Sequence, residues 1–233
     1  DVMVYGVSSP FCKVWIQRNC GEVGQIVLKY HNSFQIHATE YDNDRSGLIS
    51  LVLQHNPAMI SGPADLVCKL HEDLNGLYSV TRGVVLSQPY AELSSTSVVP
   101  ELAVERDMWQ IAELVCSDEG IGGHYRVSEL EEQLRTRLEG NTGRNYVIRR
   151  NGRIVAHYAT YAEAPRVAVM GGLIVSPECR GNGYARLLHC HLSNVLIGEN
   201  REPALFCHSG VLRMYKRLGA EVRADYGKLS LRG

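Results

Sequence analysis

The segment Val175–Ala185, with the sequence Val-Ser-Pro-Glu-Cys-Arg-Gly-Asn-Gly-Tyr-Ala, most constrains what this chain can fold into. An apolar run ends at Val175, Pro177 stops a strand there, and a helical pattern begins near Gly183. Gly181 and Gly183 have no Cβ, so their backbone can take a positive φ and approach a ligand closely. The first N–H groups of a helix have no partner within the helix, and the helix dipole adds positive charge. The segment therefore predicts an anion-binding turn suited to phosphate oxygens.

Two other interpretations of this turn stay open from the residues alone. A plain strand–loop–helix connection, with glycines for close packing, has the same sequence pattern. A dinucleotide-binding turn requires the full pattern G-x-G-x-x-G, and Arg186 occupies the place of its third glycine. Arg180 favours the anion-binding interpretation, because a guanidinium can make a charge-assisted contact with phosphate.

The clearest seam in the chain is the small polar run at residues 93–100, which closes on Pro100. It predicts two domains, residues 1–97 and 98–233. In the first, strands are expected at 24–30 and 34–39, helices at 45–55 and 64–74, and a strand pair within 77–86. In the second, helices are expected at 104–116, 128–138, 183–197 and 211–218, and strands at 145–150, 153–161, 167–175, 204–208 and 221–231. The order of the second domain is ααβββαβαβ, which predicts a mixed α/β layer.

Local signals support several of these boundaries. Ser128 to Glu131 has the pattern of a capping box at a helix start. Asn151-Gly152 is a typical two-residue hairpin turn. Gly198 and Gly219 are placed where a helix C-cap is expected.

Composition limits the choice of partners. The 233 residues carry a net charge of −1 and a pI near 6.8, which favours neither nucleic acid nor an anionic membrane as partner. The seven cysteines have irregular spacing and no C-x-x-C pair, so we expect reduced thiols, no metal site and a cytoplasmic location. No apolar run reaches the ~20 residues that a membrane span needs. A homodimer is compatible with these data.

The run Val175-x-Pro177-x-x-Arg180-Gly-Asn-Gly183-Tyr-Ala185 resembles the acetyl-CoA signature of the GCN5-related N-acetyltransferase (GNAT) family, [Q/R]-x-x-G-x-[G/A]. Arg180, Gly183 and Ala185 fill the three defined places. Farther along, the segment from Met214 to Ala220 is similar to the "lYeklGF" segment of that family, with Tyr215 at its tyrosine. The resemblance covers residues 98–233 and implies a GNAT-like acyl-CoA N-acyltransferase fold there. The smaller N-terminal α/β domain has a similar element mix, which is compatible with a degenerate copy of this fold.

The resemblance also implies roles for individual residues. Acetyl-CoA would be the cosubstrate, an amine-bearing molecule would be the acceptor, and no metal would be needed. Tyr215 would be the general acid that protonates the departing thiolate. The pantetheine arm would pair with the strand end, and the pyrophosphate would lie on the loop and first helical turn. In this chain those cofactor-binding positions are Leu173, Ile174, Val175, Arg180, Gly181, Asn182, Gly183, Tyr184, Ala185 and Arg186.

Two departures from the family pattern affect the expected chemistry. His208 occupies the place of an asparagine that contacts the cofactor, and it too can hydrogen-bond there. The strand at 167–175 has no acidic residue to act as general base, and neither Glu163 nor Glu119 is assigned that role. The expected activity is N-acetyl transfer from coenzyme A to an amine. The alternative is a module that binds acyl-CoA as a sensor or scaffold with little catalysis.

Overall fold

The computed structural model describes residues 11–40, 45–91, 98–123 and 125–232. Within these ranges the strands are β1 (Cys12–Asn19), β2 (Glu22–Tyr30), β3 (Ser33–Ala38), β4 (Met59–Pro63), β5 (Tyr78–Ser87), β6 (Glu101–Leu102), β7 (Asn145–Arg150), β8 (Arg153–Glu163), β9 (Val167–Val175), β10 (Glu202–His208) and β11 (Glu221–Leu231). The α-helices are α1 (Arg45–His55), α2 (Ala64–Asp73), α3 (Met108–Cys116), α4 (Val127–Glu139), α5 (Tyr184–Gly198) and α6 (Ser209–Arg217).

The chain packs as two units that are not contiguous in sequence. Unit 1 comprises Asp1–Val85, Cys207–Gly210 and Arg223–Gly233, and unit 2 comprises Leu86–Phe206 and Val211–Val222. Unit 1 therefore includes most of β11, the last strand of the chain. Residues 92–97 of the predicted connector lie outside the described residues, and the boundary near residue 97 stays a prediction.

In unit 1 the strand order is β1-β2-β3-β4-β11-β5. The first three strands are antiparallel, β3 and β4 are parallel, and β11 runs antiparallel to β4 from Tyr226 opposite Pro63 to Ser230 opposite Met59. Side chains of α1, α2 and the strands form one apolar core. Its fully buried members include Phe34, Ile60, Val67, Leu70 and Leu229.

In unit 2 the strand order is β10-β9-β8-β7-β6, and all neighbours are antiparallel except the parallel pair β9 and β10. The hairpin between β7 and β8 turns at Asn151-Gly152, where φ is 50° and 76°, which confirms the predicted turn. Helices α3 and α4 pack with the sheet through a core that includes Ile111, Leu134 and Ile174. Helix α5 packs on β7, β8 and β9.

Chain order repeats between the two halves of the sequence. The first half reads β1-β2-β3-α1-β4-α2-β5, and the second half, after α3 and α4, reads β7-β8-β9-α5-β10-α6-β11. In each half, three antiparallel strands are followed by a helix and a fourth strand parallel to the third. The expected mixed α/β class and the predicted order of the second half are confirmed.

Several local expectations were wrong. The region 77–86 is the single strand β5, not a strand pair, and β1 and β4 were not predicted. Helix α4 begins at Val127 after Arg126, which makes no side-chain capping bond, so the predicted box at Ser128 does not form. Gly198 is the last residue of α5, which Glu199 caps. The apolar pattern of residues 104–116 also predicts a core position for Trp109, and this is wrong because Trp109 is 46% exposed on the outer face of α3.

In the described ranges, every helix is too short or too polar to cross a membrane.

Candidate active site

The turn between β9 and α5 has the open geometry that its glycines predict. A short 3-10 turn, Pro177–Cys179, follows the strand, and α5 begins at Tyr184. Gly181 and Gly183 have φ of 82° and 76°, in the left-handed region that favours glycine. A Cβ built on either residue would meet no atom within 4 Å. The backbone of this turn therefore faces open space, as a cradle for phosphate groups requires.

The start of α5 supplies hydrogen-bond donors at the same place. The first bond back to the turn runs from the Leu187 N–H to the Gly183 carbonyl, at 3.0 Å. The N–H groups of Tyr184, Ala185 and Arg186 precede it and have no acceptor within the helix. The exposed Arg186 side chain adds positive charge to that of the helix dipole. Together these groups can bind an anion.

Two polar side chains of the turn bond to its own backbone. The Asn182 Nδ2 donates to the Cys179 carbonyl at 3.0 Å. The Arg180 Nε donates to the Val175 carbonyl at 3.1 Å, and its Nη2 lies 3.4 Å from an Asp118 carboxylate oxygen. In this structure Arg180 therefore braces the turn, and its contact with a phosphate stays a prediction.

Tyr184 can contribute only its backbone N–H to an anion site, because its side chain is hydrogen-bonded to another part of unit 2. The residue is buried, and its hydroxyl accepts a hydrogen bond from Arg150 Nη1 at 2.9 Å. This contact anchors the first turn of α5 to β7. The backbone N–H of Tyr184 therefore stays at the start of α5.

The predicted pantetheine segment lies where β9 loses one neighbour. The parallel pairing with β10 ends at Met170 opposite Leu205. Beyond it, Leu173, Ile174 and Val175 have no partner strand on that edge among the described residues. On the other edge, Ile174 and Val175 pair with β8. The free edge can therefore form hydrogen bonds with an extended ligand.

A bulge interrupts β9 just before this segment. Gly172 has φ 68°, and the register with β8 shifts twice nearby. His157 fixes the bulge, because its Nδ1 lies 3.0 Å from the Gly172 carbonyl and its Nε2 lies 2.9 Å from the Asn145 side chain. Burial is the main cause that lowers the pKa of His157 to about 4, so the ring is neutral at physiological pH.

Tyr215, the predicted general acid, lies in unit 2 and is 7% exposed. Its ring packs edge-on against His189 of α5, with 5.1 Å between ring centroids. The His189 Nε2 lies 2.9 Å from Gln88 Oε1, and the Gln88 Nε2 donates to the Leu218 carbonyl at 2.8 Å. Burial lowers the pKa of His189 to about 4. Tyr215 is therefore backed by a neutral, hydrogen-bonded imidazole.

His208 lies at the end of β10, in a part of the chain that belongs to unit 1. The residue is exposed, and its Nδ1 accepts a hydrogen bond from the Gly210 N–H at 3.2 Å. This bond supports the start of α6. Its predicted contact with the cofactor stays a prediction.

Glu163, one of the two carboxylates considered as a base, is fully engaged. It accepts hydrogen bonds from Thr160 at 2.6 Å and from Arg144 at 2.8 Å, and it pairs with Arg201. Burial would raise its pKa, but the bonds from Arg144 and Thr160 outweigh this and lower it. Such a carboxylate is a poor proton acceptor. The other carboxylate, Glu119, is exposed in the loop after α3.

Sequence reasoning overlooked the Gly171-Gly172 pair and His157, and it considered His189 only as a metal ligand, a role that its spacing of two from His191 does not favour. Adjacent glycines inside a strand pattern do signal a bulge or a close approach. The histidines carry no such local signal, because their partners Asn145 and Gln88 are distant in sequence.

Comparison with known proteins agrees with this geometry. Residues 108–220 match the model of the acetyltransferase (GNAT) family. A GCN5-related N-acetyltransferase-like protein from Streptococcus suis aligns over 100% of this chain and 93% of that chain, with 13% identity and a TM-score of 0.63. A GCN5-related N-acetyltransferase from Kribbella flavida aligns over 90% and 87%, with 15% identity and a TM-score of 0.63. A tandem GNAT protein from the clavulanic acid biosynthesis pathway aligns over 95% and 83%, with 14% identity and a TM-score of 0.60. No curated protein matches the chain.

At these identities the structural likenesses establish the fold, and the family model establishes the kind of domain. The mixed sheet places this part of the chain in the same α/β fold class as those structures. Within that class, residues 108–220 form a domain of the GNAT acetyltransferase family.

Proposed function

We propose that unit 2 transfers an acyl group, acetyl in the first instance, from coenzyme A to an amine by direct transfer in a ternary complex. The turn Val175–Ala185 carries this proposal. Its left-handed glycines leave open space beside the backbone, and the N–H groups at the start of α5 lie at the same place. A diphosphate is the group for which these features are suited. The seven cysteines are reduced thiols, which fits a reducing compartment, and we place the protein in the cytoplasm.

The donor is expected to follow the free edge of β9 and then the turn. The backbone of residues 173–175 would hold the pantetheine arm through hydrogen bonds. Residues 180–186 would hold the diphosphate. Acetyl-CoA supplies a thioester that an amine can attack, with a thiol as leaving group. A backbone N–H on the free edge stabilises the oxyanion that forms. As the C–N bond forms and the C–S bond breaks, the amine nitrogen loses a proton to solvent and Tyr215 donates its phenolic proton to the leaving sulfur.

We infer that the first half of the chain is a degenerate copy without a donor site of its own. Its element order and strand directions repeat those of the second half. Where the second half has the glycine turn, the first has Thr-Glu-Tyr-Asp-Asn-Asp at residues 39–44, with three carboxylates and no glycine. Such a segment repels a diphosphate. Catalysis is therefore assigned to unit 2.

Calorimetry with acetyl-CoA and with coenzyme A tests the donor half of this proposal. Thiol release with a panel of amines tests transfer. Tyr215→Phe should lower kcat about 10²- to 10⁴-fold with acetyl-CoA affinity retained. Tyr90→Phe, at a tyrosine that is 68% exposed, is the matched control.

The outcomes separate the two candidate functions. Binding of acetyl-CoA without turnover of any amine would favour the sensor or scaffold alternative. No binding of either ligand at millimolar concentration would contradict both.

A further inference from the structure

The bulge of β9 supports a tyrosine whose position depends on both glycines. A Cβ on Gly171 would overlap the Tyr161 ring, and a Cβ on Gly172 would lie 2.6 Å from the Tyr161 hydroxyl oxygen. Tyr161 is 39% exposed, yet its hydroxyl end lies against the Gly172 backbone. Burial of that end raises the pKa of Tyr161 to about 12. The phenol is therefore a protonated hydrogen-bond donor next to the free edge of β9.

Arg137 from α4 covers the ring of this tyrosine. Its guanidinium carbon lies 5.1 Å from the centroid of the Tyr161 ring, within the range of a cation–π contact. Its positive charge also contributes to the lowered pKa of His157, after the larger effect of burial. Arg137, Tyr161 and the bulge therefore form one cluster on unit 2, here called the arginine–tyrosine cluster.

Arg137 has no carboxylate partner among the described residues. Within the described ranges its guanidinium donates a hydrogen bond to the neutral amide of Gln133, at 3.3 Å. Arg135, two positions earlier on the same helix, pairs with Glu131 at 2.8 Å and with Glu105 at 2.5 Å. Arg144 likewise pairs with two glutamates. Arg137 is partly buried and lacks the carboxylate partner that Arg135 and Arg144 have. Its guanidinium is therefore suited to bind the carboxylate of a ligand.

We infer that the arginine–tyrosine cluster binds the carboxylate of the acceptor, so that the acceptor is a small amino acid and not a simple amine. This inference rests on the proposed function, which places the acyl group at the free edge of β9. The Tyr161 hydroxyl touches the bulge at the start of that edge, so carboxylate and amine must be only a few bonds apart. A planar guanidinium can hold a carboxylate through two parallel hydrogen bonds. The Tyr161 ring supports the guanidinium from below through the cation–π contact.

Matched pairs of acceptors test this directly. With acetyl-CoA saturating, kcat/KM is compared for glycine and methylamine, and for phenylalanine and phenethylamine. We expect the amino acid to be preferred about 10- to 100-fold, the worth of charged hydrogen bonds. Equal rates within each pair would overturn the inference. A stronger preference for phosphoethanolamine over ethanolamine than for either amino acid over its amine would also overturn it.

Variants at two positions of one helix locate the effect. Arg137→Gln should reduce the ratio of kcat/KM between amino acid and matched amine about 10-fold or more, and Arg137→Lys should reduce it less because it keeps the charge. Arg135→Gln is the control and should leave the ratio unchanged. A ratio that responds equally to Arg135→Gln would contradict the assignment. Thermal unfolding of each variant verifies folding.

A binding measurement keeps this inference separate from the proposed function. Failure of acetyl-CoA to bind would refute the proposed function. If acetyl-CoA binds and no acceptor turns over, calorimetry of glycine with the acetyl-CoA complex decides. Glycine binding that Arg137→Gln abolishes and Arg135→Gln preserves would support the cluster. Absent or unaffected binding would refute it.

Discussion

At the scale of single residues, His157 and His189 give unit 2 a defined response to pH. Both are buried and hydrogen-bonded, and burial is the main cause that lowers the pKa of each to about 4. An unfolded histidine has a pKa near ~6.5. Between these values the unfolded chain binds more protons than the folded chain, so the free energy of unfolding decreases as the pH falls.

We expect each of these histidines to lower the free energy of unfolding by about 2 kcal/mol when the pH is lowered from 7.5 to 5. Urea unfolding at half-unit pH intervals measures this slope. His157→Gln and His189→Gln should each reduce the change over this interval by about 2 kcal/mol. The window lies above the range in which most carboxylates titrate, so acidic residues contribute little. A flat profile from pH 7.5 to 5 would contradict the neutral buried state of both rings.

Glu163 is expected to be structural and not catalytic. Glu163→Gln removes charge from bonds to Arg144 and Arg201, and it should cost about 1–3 kcal/mol. The pH profile of kcat/KM should not change, because the carboxylate has no lone pair to spare for a substrate. Glu199→Gln is the control, since this half-exposed partner of Arg144 should contribute less. A shifted profile in Glu163→Gln alone would restore Glu163 as a base.

Residue by residue, backbone features were easier to predict than side-chain directions. The positive φ of Gly181 and Gly183 follows from their place between a strand and a helix. The direction of the Arg180 guanidinium does not, because it depends on Asp118, which is 62 positions earlier. The same holds for Tyr184, whose hydroxyl bonds to Arg150.

At the scale of elements, a substitution in the glycine turn should affect both stability, through backbone strain, and acetyl-CoA affinity, through contact with the ligand. Gly183→Ala should cost about 1–2 kcal/mol, because φ is 76°. It should also lower the affinity for acetyl-CoA about 10-fold or more, since the new methyl group enters the open space of the cradle. Urea unfolding and calorimetry measure the two effects.

Gly152 provides the matched control. It also has φ 76° and no atom within 4 Å of a built Cβ, but it lies in the hairpin turn between β7 and β8. Gly152→Ala should therefore cost similar stability and leave acetyl-CoA affinity unchanged. Equal loss of affinity in both variants would mean that strain alone is responsible.

Most strands bounded by clear turn signals were predicted, whereas β4, which itself contains turn residues, was not. The strands β7 to β9 are long and separated by clear turns, and α5 has an unbroken apolar face. In contrast, β4 is five residues long and contains Gly62 and Pro63, which are typical of loops. Gly62 is required there, because a Cβ would overlap the Ile36 carbonyl of the neighbouring strand. That requirement comes from sheet packing and is invisible in the local sequence.

At the scale of the whole molecule, the main feature beyond sequence reasoning is that β11 belongs to unit 1. Local patterns indicate a strand near residues 221–231 but not its partners. The structure pairs it with β4, and the Ser79 hydroxyl donates to the Ser230 carbonyl at 3.2 Å across 151 positions. Leu229 is fully buried in the unit 1 core. The N-terminal half of the sequence therefore needs the C-terminal end of the chain to complete its core.

Leu229→Ala should accordingly destabilise unit 1 by about 2–5 kcal/mol, the usual cost of a cavity in a packed core. The two tryptophans allow this to be assigned, because Trp15 lies in unit 1 and Trp109 in unit 2. In a Trp109→Phe background, the fluorescence of Trp15, which packs against Phe34 in that core, should report a lower urea midpoint. Val80→Ala, at an exposed position of β5 in the same unit, is the control and should change the free energy of unfolding by less than about 0.5 kcal/mol. A urea midpoint unchanged by Leu229→Ala would show that β11 does not complete the unit 1 core, because truncating a side chain packed in that core must leave a destabilising cavity.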